Sequence, residues 1–361
     1  MPAAPVHVSR TPTARDFEVE VLRGLEEFVE QELRFQLRAS AVIGRAHNGR
    51  IPVRYSGDPR RLMSLRSAVA VHSVHGFRVF RPKALLGHEN FEYLLGALRE
   101  VISLNPSTVF KSFRISAAGS DSTVFDRLKA GIADALTLDY SKGPAQIQVA
   151  VRRPPDGSDG WQVLVRLTPR PAAARPWRVR DYPGALNATI ANVMVRLARP
   201  SGGNNFLNLC CGSGTLLAER LDYAPAELAA GIDNSRHAIQ CANDNLRAAG
   251  YGNRSLLLRG DAGHAPFPQA SIHEIVADLP YGMLVDTKGQ IDHLYAAALS
   301  EASRIAAPGA SFVAITVRKK LFESALGSVK EHWKSVRALR VIVPSVAGDI
   351  SPTIYCLQRT R

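Results

Sequence analysis

The second half of the chain reads as an α/β unit built on a parallel, doubly wound sheet, preceded by smaller α+β segments. Three observations predict this. Residues 207–214 run Leu-Asn-Leu-Cys-Cys-Gly-Ser-Gly, an apolar segment that breaks at two glycines. A second apolar run, 228–232, ends in Asp233, nineteen positions after Gly214. A later run, 272–277, leads directly into Asp278-Leu279-Pro280-Tyr281. Apolar strands alternating with helical stretches indicate a parallel sheet, and ligands of such sheets sit at the carboxyl ends of the strands.

In chain order, residues 16–82 read as a first α+β unit, with strands 17–21 and 50–55 and helices 26–37 and 59–70. Residues 83–170 read as a second. Helix 88–103 is followed by strand 109–116, and helix 121–136 carries Val124, Leu128, Ile132 and Leu136 on one stripe. Segments 145–151 and 162–167 alternate as paired strands around Pro154-Pro155-Asp156-Gly157. Residues 171–200 form an arginine-rich linker. In it, Arg175-Pro176-Trp177-Arg178 interleaves guanidinium groups with an indole, a pattern that suits either stacking on a base or ribose or a Pro/Arg-rich spacer that packs Trp177 into a domain interface.

From 201 to 361 each strand ends in a group with chemistry to offer. Strand 205–209 turns at Gly212 and Gly214, where the backbone can come close to a ligand, and continues as helix 215–220. The third glycine of the dinucleotide fingerprint is replaced by Leu217, which favours a smaller adenosine-containing cofactor over one with a bound pyrophosphate. Asp233 stands where a carboxylate accepts two hydrogen bonds from a ribose diol. Strand 255–258 leads to Gly260-Asp261-Ala262, whose short acid suits an exocyclic adenine amine. Helices 235–249 and 292–306 separate these strands. Asp278 and the Leu279 carbonyl are placed to accept the two N–H bonds of an amine on a flat base, with Tyr281 stacking on it.

These residues resemble the Rossmann-fold S-adenosylmethionine-dependent methyltransferases of the amino-methyltransferase branch, which carry [Asp/Asn/Ser]-Pro-Pro-[Tyr/Phe] after the fourth strand. Cys211-Gly212-Ser213-Gly214-Thr215 is similar to the glycine turn of its RNA guanosine-N2 members. Two positions depart from that pattern: Asn208 stands where Asp is usual, and Leu279 replaces the first proline. The block from Phe113-Arg114-Ile115-Ser116 to Leu167 resembles a THUMP RNA-binding domain, commonly preceded by a ferredoxin-like domain. The resemblance implies a class I methyltransferase domain over 201–361, a parallel sheet with one antiparallel strand among 311–317 and 353–358. It implies transfer of a methyl from S-adenosylmethionine to a guanosine N2 amine of tRNA. The acceptor stem and 3′ single-stranded end are the expected partner. The same domains recur in rRNA guanosine-N2 methyltransferases, and a non-catalytic RNA-binding protein with a degenerate fold is the rival from another class. The implied cofactor residues are Asn187, Asn208, Cys211, Gly212, Gly214, Thr215, Asp233, Asn234, Asp261 and Ala262. Asp278, Leu279, Pro280 and Tyr281 form the catalytic set, and Arg114, Arg175, Trp177 and Arg178 the RNA contacts.

The formal charge of +13 and pI near 9.9 point to a polyanionic partner. No apolar run approaches the eighteen or so residues of a membrane span. The four cysteines, at 210, 211, 241 and 356, show no C-x-x-C pairing, so neither a metal site nor a disulfide framework is expected. Residues 1–15, with Pro2, Pro5 and Pro12, read as a flexible tail. A cytoplasmic monomer is expected.

Overall fold

The computed structural model describes residues 14–106, 108–281, 288–345 and 348–360. Positions 1–13 of the expected tail lie outside them. The chain divides into two compact units, one comprising Met1–Val21 with Val29–Ala172, the other Leu22–Phe28 with Ala173–Arg361.

The first unit contains β1 (Arg15–Glu20), α1 (Glu26–Leu37) from Val29 onward, β2 (Ala41–Ile43), β3 (Arg50–Tyr55), α2 (Arg60–Met63) and β4 (Ala70–Phe77). It continues with α3 (His88–Ser103), β5 (Ser112–Ala117), α4 (Thr123–Leu136), β6 (Asp139–Tyr140), β7 (Ile147–Arg152) and β8 (Trp161–Arg166). In β7 the buried Ile147, Val149 and Val151 alternate with half-buried neighbours, the period that makes this segment a strand. All eight strands form one sheet in the order β2-β3-β1-β4-β8-β7-β5-β6. The expected boundary at 82/83 is therefore no break in the sheet, because β4 pairs antiparallel with β8, His72 opposite Arg166. The expected helix 59–70 stops at Met63. The Glu32 carboxylate accepts the backbone N–H groups of Arg66 (2.7 Å) and Ser67 (2.9 Å), and β-branched Val71 and Val74 then enter β4.

The second unit contains α5 (Ala188–Leu197), β9 (Asn205–Leu209), α6 (Thr215–Tyr223), β10 (Leu228–Asp233), α7 (Arg236–Ala248) and β11 (Leu256–Arg259). Then follow β12 (Ile272–Asp278), α8 (Lys288–Ile305), β13 (Ala306–Thr316), α9 (Lys319–Gly327), β14 (Trp333–Arg340) and β15 (Thr353–Arg359). The sheet order is β11-β10-β9-β12-β13-β15-β14. Strands β9 to β13 run parallel, and β15 lies antiparallel between β13 and β14. This is the mostly parallel sheet with one reversed strand that the sequence implied. Strand β14 and helix α9 were not anticipated. Residues 173–200, expected as a linker, belong to this unit, and α5 is buried along most of its length.

Leu217 explains how α6 packs without the third fingerprint glycine. A Cβ on Gly231 of β10 would meet Leu217 Cδ1 at 2.5 Å and Cys211 Cβ at 3.0 Å. The room for the Leu217 side chain comes from the bare strand opposite.

At the opposite end of the sheet from the glycine turn, Arg220 of α6 and Glu274 of β12 form an ion pair excluded from solvent (0% and 1% side-chain exposure). Arg220 Nε donates to Glu274 Oε2 at 2.6 Å and Nη2 to Oε1 at 3.1 Å. The remaining guanidinium protons go to the carbonyls of Ala224, Pro225 and Ser201, and Glu274 Oε1 also accepts from Ser201 N and Asn204 Nδ2. Removing one partner of so dry a pair leaves an uncompensated charge. Glu274→Ala should lower the unfolding free energy by about 3–5 kcal/mol, measured by urea denaturation; a loss below about 1 kcal/mol would contradict the pair's anchoring role.

Candidate functional site

The carboxyl ends of β9, β10, β11 and β12 open onto one cavity of about 710 Å³. Cys211, Gly212 and Thr215 line it from the first strand's turn, Asp233 and Asn234 from the second, Asp261 and Ala262 from the third. Asp278, Leu279, Pro280 and Tyr281 line it from the fourth. Gly212, at φ +51°, turns its N–H to Asp233 Oδ2 (2.9 Å), and Ser235 N–H donates to Oδ1 (2.9 Å). Each carboxylate oxygen keeps a lone pair for a further donor, which suits a ribose diol. Asp261 is oriented by Gly263 N–H at 2.8 Å.

Three expected cofactor residues do not line the cavity. Asn187 caps α5 instead, accepting from Thr189 N–H (2.9 Å) and from the Thr189 hydroxyl (2.7 Å). Asn208 is fully buried, and its Nδ2 donates to the carbonyls of Leu209 and Val276, bracing β9 against β12. Gly214 shapes the turn at φ +79°, where a Cβ would lie 3.1 Å from Ala242 Cβ.

Three of the expected RNA contacts also stand elsewhere. Arg175 is buried in a pair with Glu219 (Nε to Oε1, 2.7 Å), to which Asn192 adds a bond at 3.2 Å. Trp177 is 9% exposed. Arg178 is half-buried and donates from Nη2 to Leu186 O (2.7 Å) and Thr215 Oγ1 (2.9 Å). An Arg-rich stretch looks like a polyanion site in sequence; here its apolar neighbours and Glu219 draw it inward. Arg114 alone of the four is exposed, on β5. The stretch serves the cavity instead: Tyr182 to Leu186 form part of its wall. Arg180 and Asn245 exchange backbone–side-chain bonds of 2.8 and 3.1 Å that hold this wall on α7. Pro183-Gly184 just ahead of a helix cap was the available signal. His293, Leu294 and Ala297 of α8 complete the lining and carried none.

The Asp278 loop is fixed by its backbone. Leu279 N–H donates to Ile315 O (3.1 Å), a bond that a proline at this position has no proton to make. Arg318 N–H donates to Thr316 Oγ1 (2.9 Å), Thr316 and Tyr295 hydroxyls meet at 2.6 Å, and Tyr295 donates to Pro280 O (3.1 Å). Arg318 Nε donates to Tyr281 O at 3.0 Å. On the side chains, Tyr281 donates its phenol to Asp278 Oδ1 (2.9 Å).

Burial pushes the Asp278 carboxyl up from 3.8 to about 7, against the lowering effect of the Tyr281 hydrogen bond. Burial and the Asp278 charge push the Tyr281 phenol up, so it stays a donor. Burial pushes the Cys210 thiol up, and the carboxylates of Asp233, Asp278 and Asp261 add to this. Neither it nor the similarly raised Cys211 is a thiolate nucleophile. Among the described residues no cluster of His, Cys, Asp or Glu could hold a metal ion.

Residues 175–347 match the family described as RMKL-like, methyltransferase domain. The chain carries a methyltransferase domain. It is similar over 354 residues, 93% of this chain and 97% of the relative, to a tRNA (guanine(6)-N2)-methyltransferase of Thermus thermophilus, with 26% identity. It is 28% identical over 191 residues to the mouse tRNA (guanine(6)-N(2))-methyltransferase THUMP3, covering 49% of this chain. That match spans 37% of the mouse protein's length. The fold is that of TrmN from Thermus thermophilus, with a TM-score of 0.68, 24% identity, and coverage of 95% of this chain and 99% of the other. Methyltransferase domains of this kind take their methyl from S-adenosylmethionine. The glycine turn, the Asp233 carboxylate and Asp261 around one cavity fit that cofactor's nucleoside.

The Asp278 titration has a checkable consequence. Its folded value lies above the unfolded 3.8, so its contribution to stability is complete below pH 3.8 and is lost as pH rises through about 7. Asp278→Asn should therefore gain stability relative to the parent between about pH 5 and about pH 8, measured by urea unfolding. In Tyr281→Phe, carboxyl ¹³C NMR should place the Asp278 midpoint above that of the parent; a downward move would contradict the hydrogen bond's role.

Proposed function

We propose that this protein is a cytoplasmic, monomeric, S-adenosylmethionine-dependent tRNA methyltransferase acting on the exocyclic N2 amine of a guanosine in the acceptor-stem region. The observation that carries this is the Asp278-Leu279-Pro280-Tyr281 loop lining the same cavity as the glycine turn and Asp233. A base acceptor and a nucleoside cofactor would then share one cavity. The near full-length similarity to a tRNA guanine-N2 enzyme supports the choice of amine and of RNA.

When bound, the cofactor supplies an electrophilic methyl on a sulfonium. Gly212 and Asp233 would hold its ribose side and Asp261 its adenine. The guanine amine is a poor nucleophile, because its lone pair is delocalised into the ring. Asp278, accepting one N–H, and the Leu279 carbonyl, accepting the other, aim that lone pair at the methyl. The amine would accept the methyl that the cofactor supplies and release its proton afterwards, with Asp278 and the Leu279 carbonyl holding it throughout. Tyr281 stacks on the base, worth about 1–3 kcal/mol. Positioning supplies most of the rate.

A guanosine inside a stem must first be extruded, at a cost of a few kcal/mol, so contacts away from the base are required. We assign them to the first unit, whose β-α-β-β-α-β order up to β4 suits a ferredoxin-like domain and whose remainder suits a THUMP domain. Arg114 is its exposed candidate contact, and the 3′ single-stranded end its expected ligand.

Mass spectrometry of nucleosides from tRNA and rRNA, with and without the gene, should show N2-methylguanosine lost from tRNA. Loss confined to rRNA would replace the substrate, and loss from neither would remove the activity. Asp278→Ala should cut transfer at least about a hundredfold with S-adenosylmethionine affinity nearly intact. Asp233→Ala should weaken cofactor binding by about 1.5–3 kcal/mol. Equal loss of cofactor affinity in both would sink this division of roles.

A further inference from the structure

We propose that Arg318, Lys319 and Lys320 form a phosphate-docking strip for the RNA strand flanking the reacting nucleotide, attached through Arg318 to the backbone of the catalytic loop. This deepens the preceding reading and rests on it. The three residues follow the carboxyl end of β13, the neighbour of β12, and all three are exposed. The 3.0 Å bond from Arg318 Nε to the Tyr281 carbonyl fixes Arg318 beside the cavity, and Lys319 and Lys320 follow it as the first residues of α9.

The charges are available. Lys319 Nζ lies 3.8 Å from Glu323 Oε1, on an exposed pair whose carboxylate also accepts from the Tyr355 hydroxyl. Among the described residues, neither Arg318 nor Lys320 is paired with a carboxylate. Loosely held surface cations beside a nucleotide-sized cavity complement a phosphodiester, and an extruded base cannot enter without its own backbone stopping at the rim. The Arg318 guanidinium commits its Nε to Tyr281 and keeps both Nη groups for phosphate oxygens, a planar fork that lysine lacks. One side chain thus touches both the substrate backbone and the peptide that carries the stacking ring. Arg318 is on this account a binding residue and also a positioning residue for Tyr281.

The test uses the full-length protein, an unmodified tRNA transcript and a salt series. Lys319→Ala/Lys320→Ala should raise the KM for tRNA about tenfold and lower the slope of log affinity against log salt by about two, with S-adenosylmethionine affinity kept in calorimetry. Arg318→Lys, which keeps the charge and loses the Nε donor, should leave the KM for tRNA within about threefold and lower kcat about tenfold. An unchanged KM and salt slope in the double variant would overturn the strip. A kcat equal to the parent's in Arg318→Lys would overturn the coupling to Tyr281. Should the parent methylate no guanosine, the functional reading fails by itself. Filter binding of the same tRNA then still decides the strip, since an unaltered salt slope in the double variant overturns it.

Discussion

The Arg220–Glu274 pair connects the two elements on which the chemistry hangs. Arg220 lies on the helix that follows the glycine turn, and Glu274 on the strand that ends in Asp278. Two charges removed from water are favourable only when every polar atom finds a partner, and here backbone carbonyls and Asn204 complete the set. The anchor sits near the amino end of β12, so about 13 Å of hydrogen-bonded strand separates it from Asp278. Rigidity is built at one edge of the sheet and reactive groups are displayed at the other.

The same sheet sorts charge. The protein as a whole is strongly cationic, at +13, yet the cavity gathers Asp233, Asp261 and Asp278. Their joint field is felt at Cys210, whose thiol all three disfavour ionising. Such a field disfavours a phosphodiester inside the cavity more than a neutral base. Burial opposes the ionisation of Asp278, and the Tyr281 phenol offsets part of that opposition. The site thereby keeps a carboxyl poised near neutrality.

Much of this was legible in the chain itself, and the failures have physical causes. The strand 205–209 and the helices 26–37 and 88–103 coincide with their elements, because strong apolar periodicity and clear breakers bounded them. The four cavity loops were legible because strand ends in a parallel sheet have fixed roles. Arg175, Trp177 and Arg178 were misplaced because a run of arginines looks the same whether it meets phosphate or a buried glutamate; Glu219 lies 44 positions away and nothing local announces it. Helix 59–70 was overextended because the carboxylate that ends it belongs to a different helix. Arg318 escaped notice because its backbone partner, the Tyr281 carbonyl, has no sequence signature.

The Leu217–Gly231 contact carries one more consequence. A dinucleotide fold brings helix and strand together by removing a side chain from the helix; this chain removes it from the strand and lets the helix keep a leucine. The two positions are one steric slot with a movable vacancy. A pattern keyed to three glycines along the turn passes over such a chain. One that counts small residues on both walls of the slot recognises it.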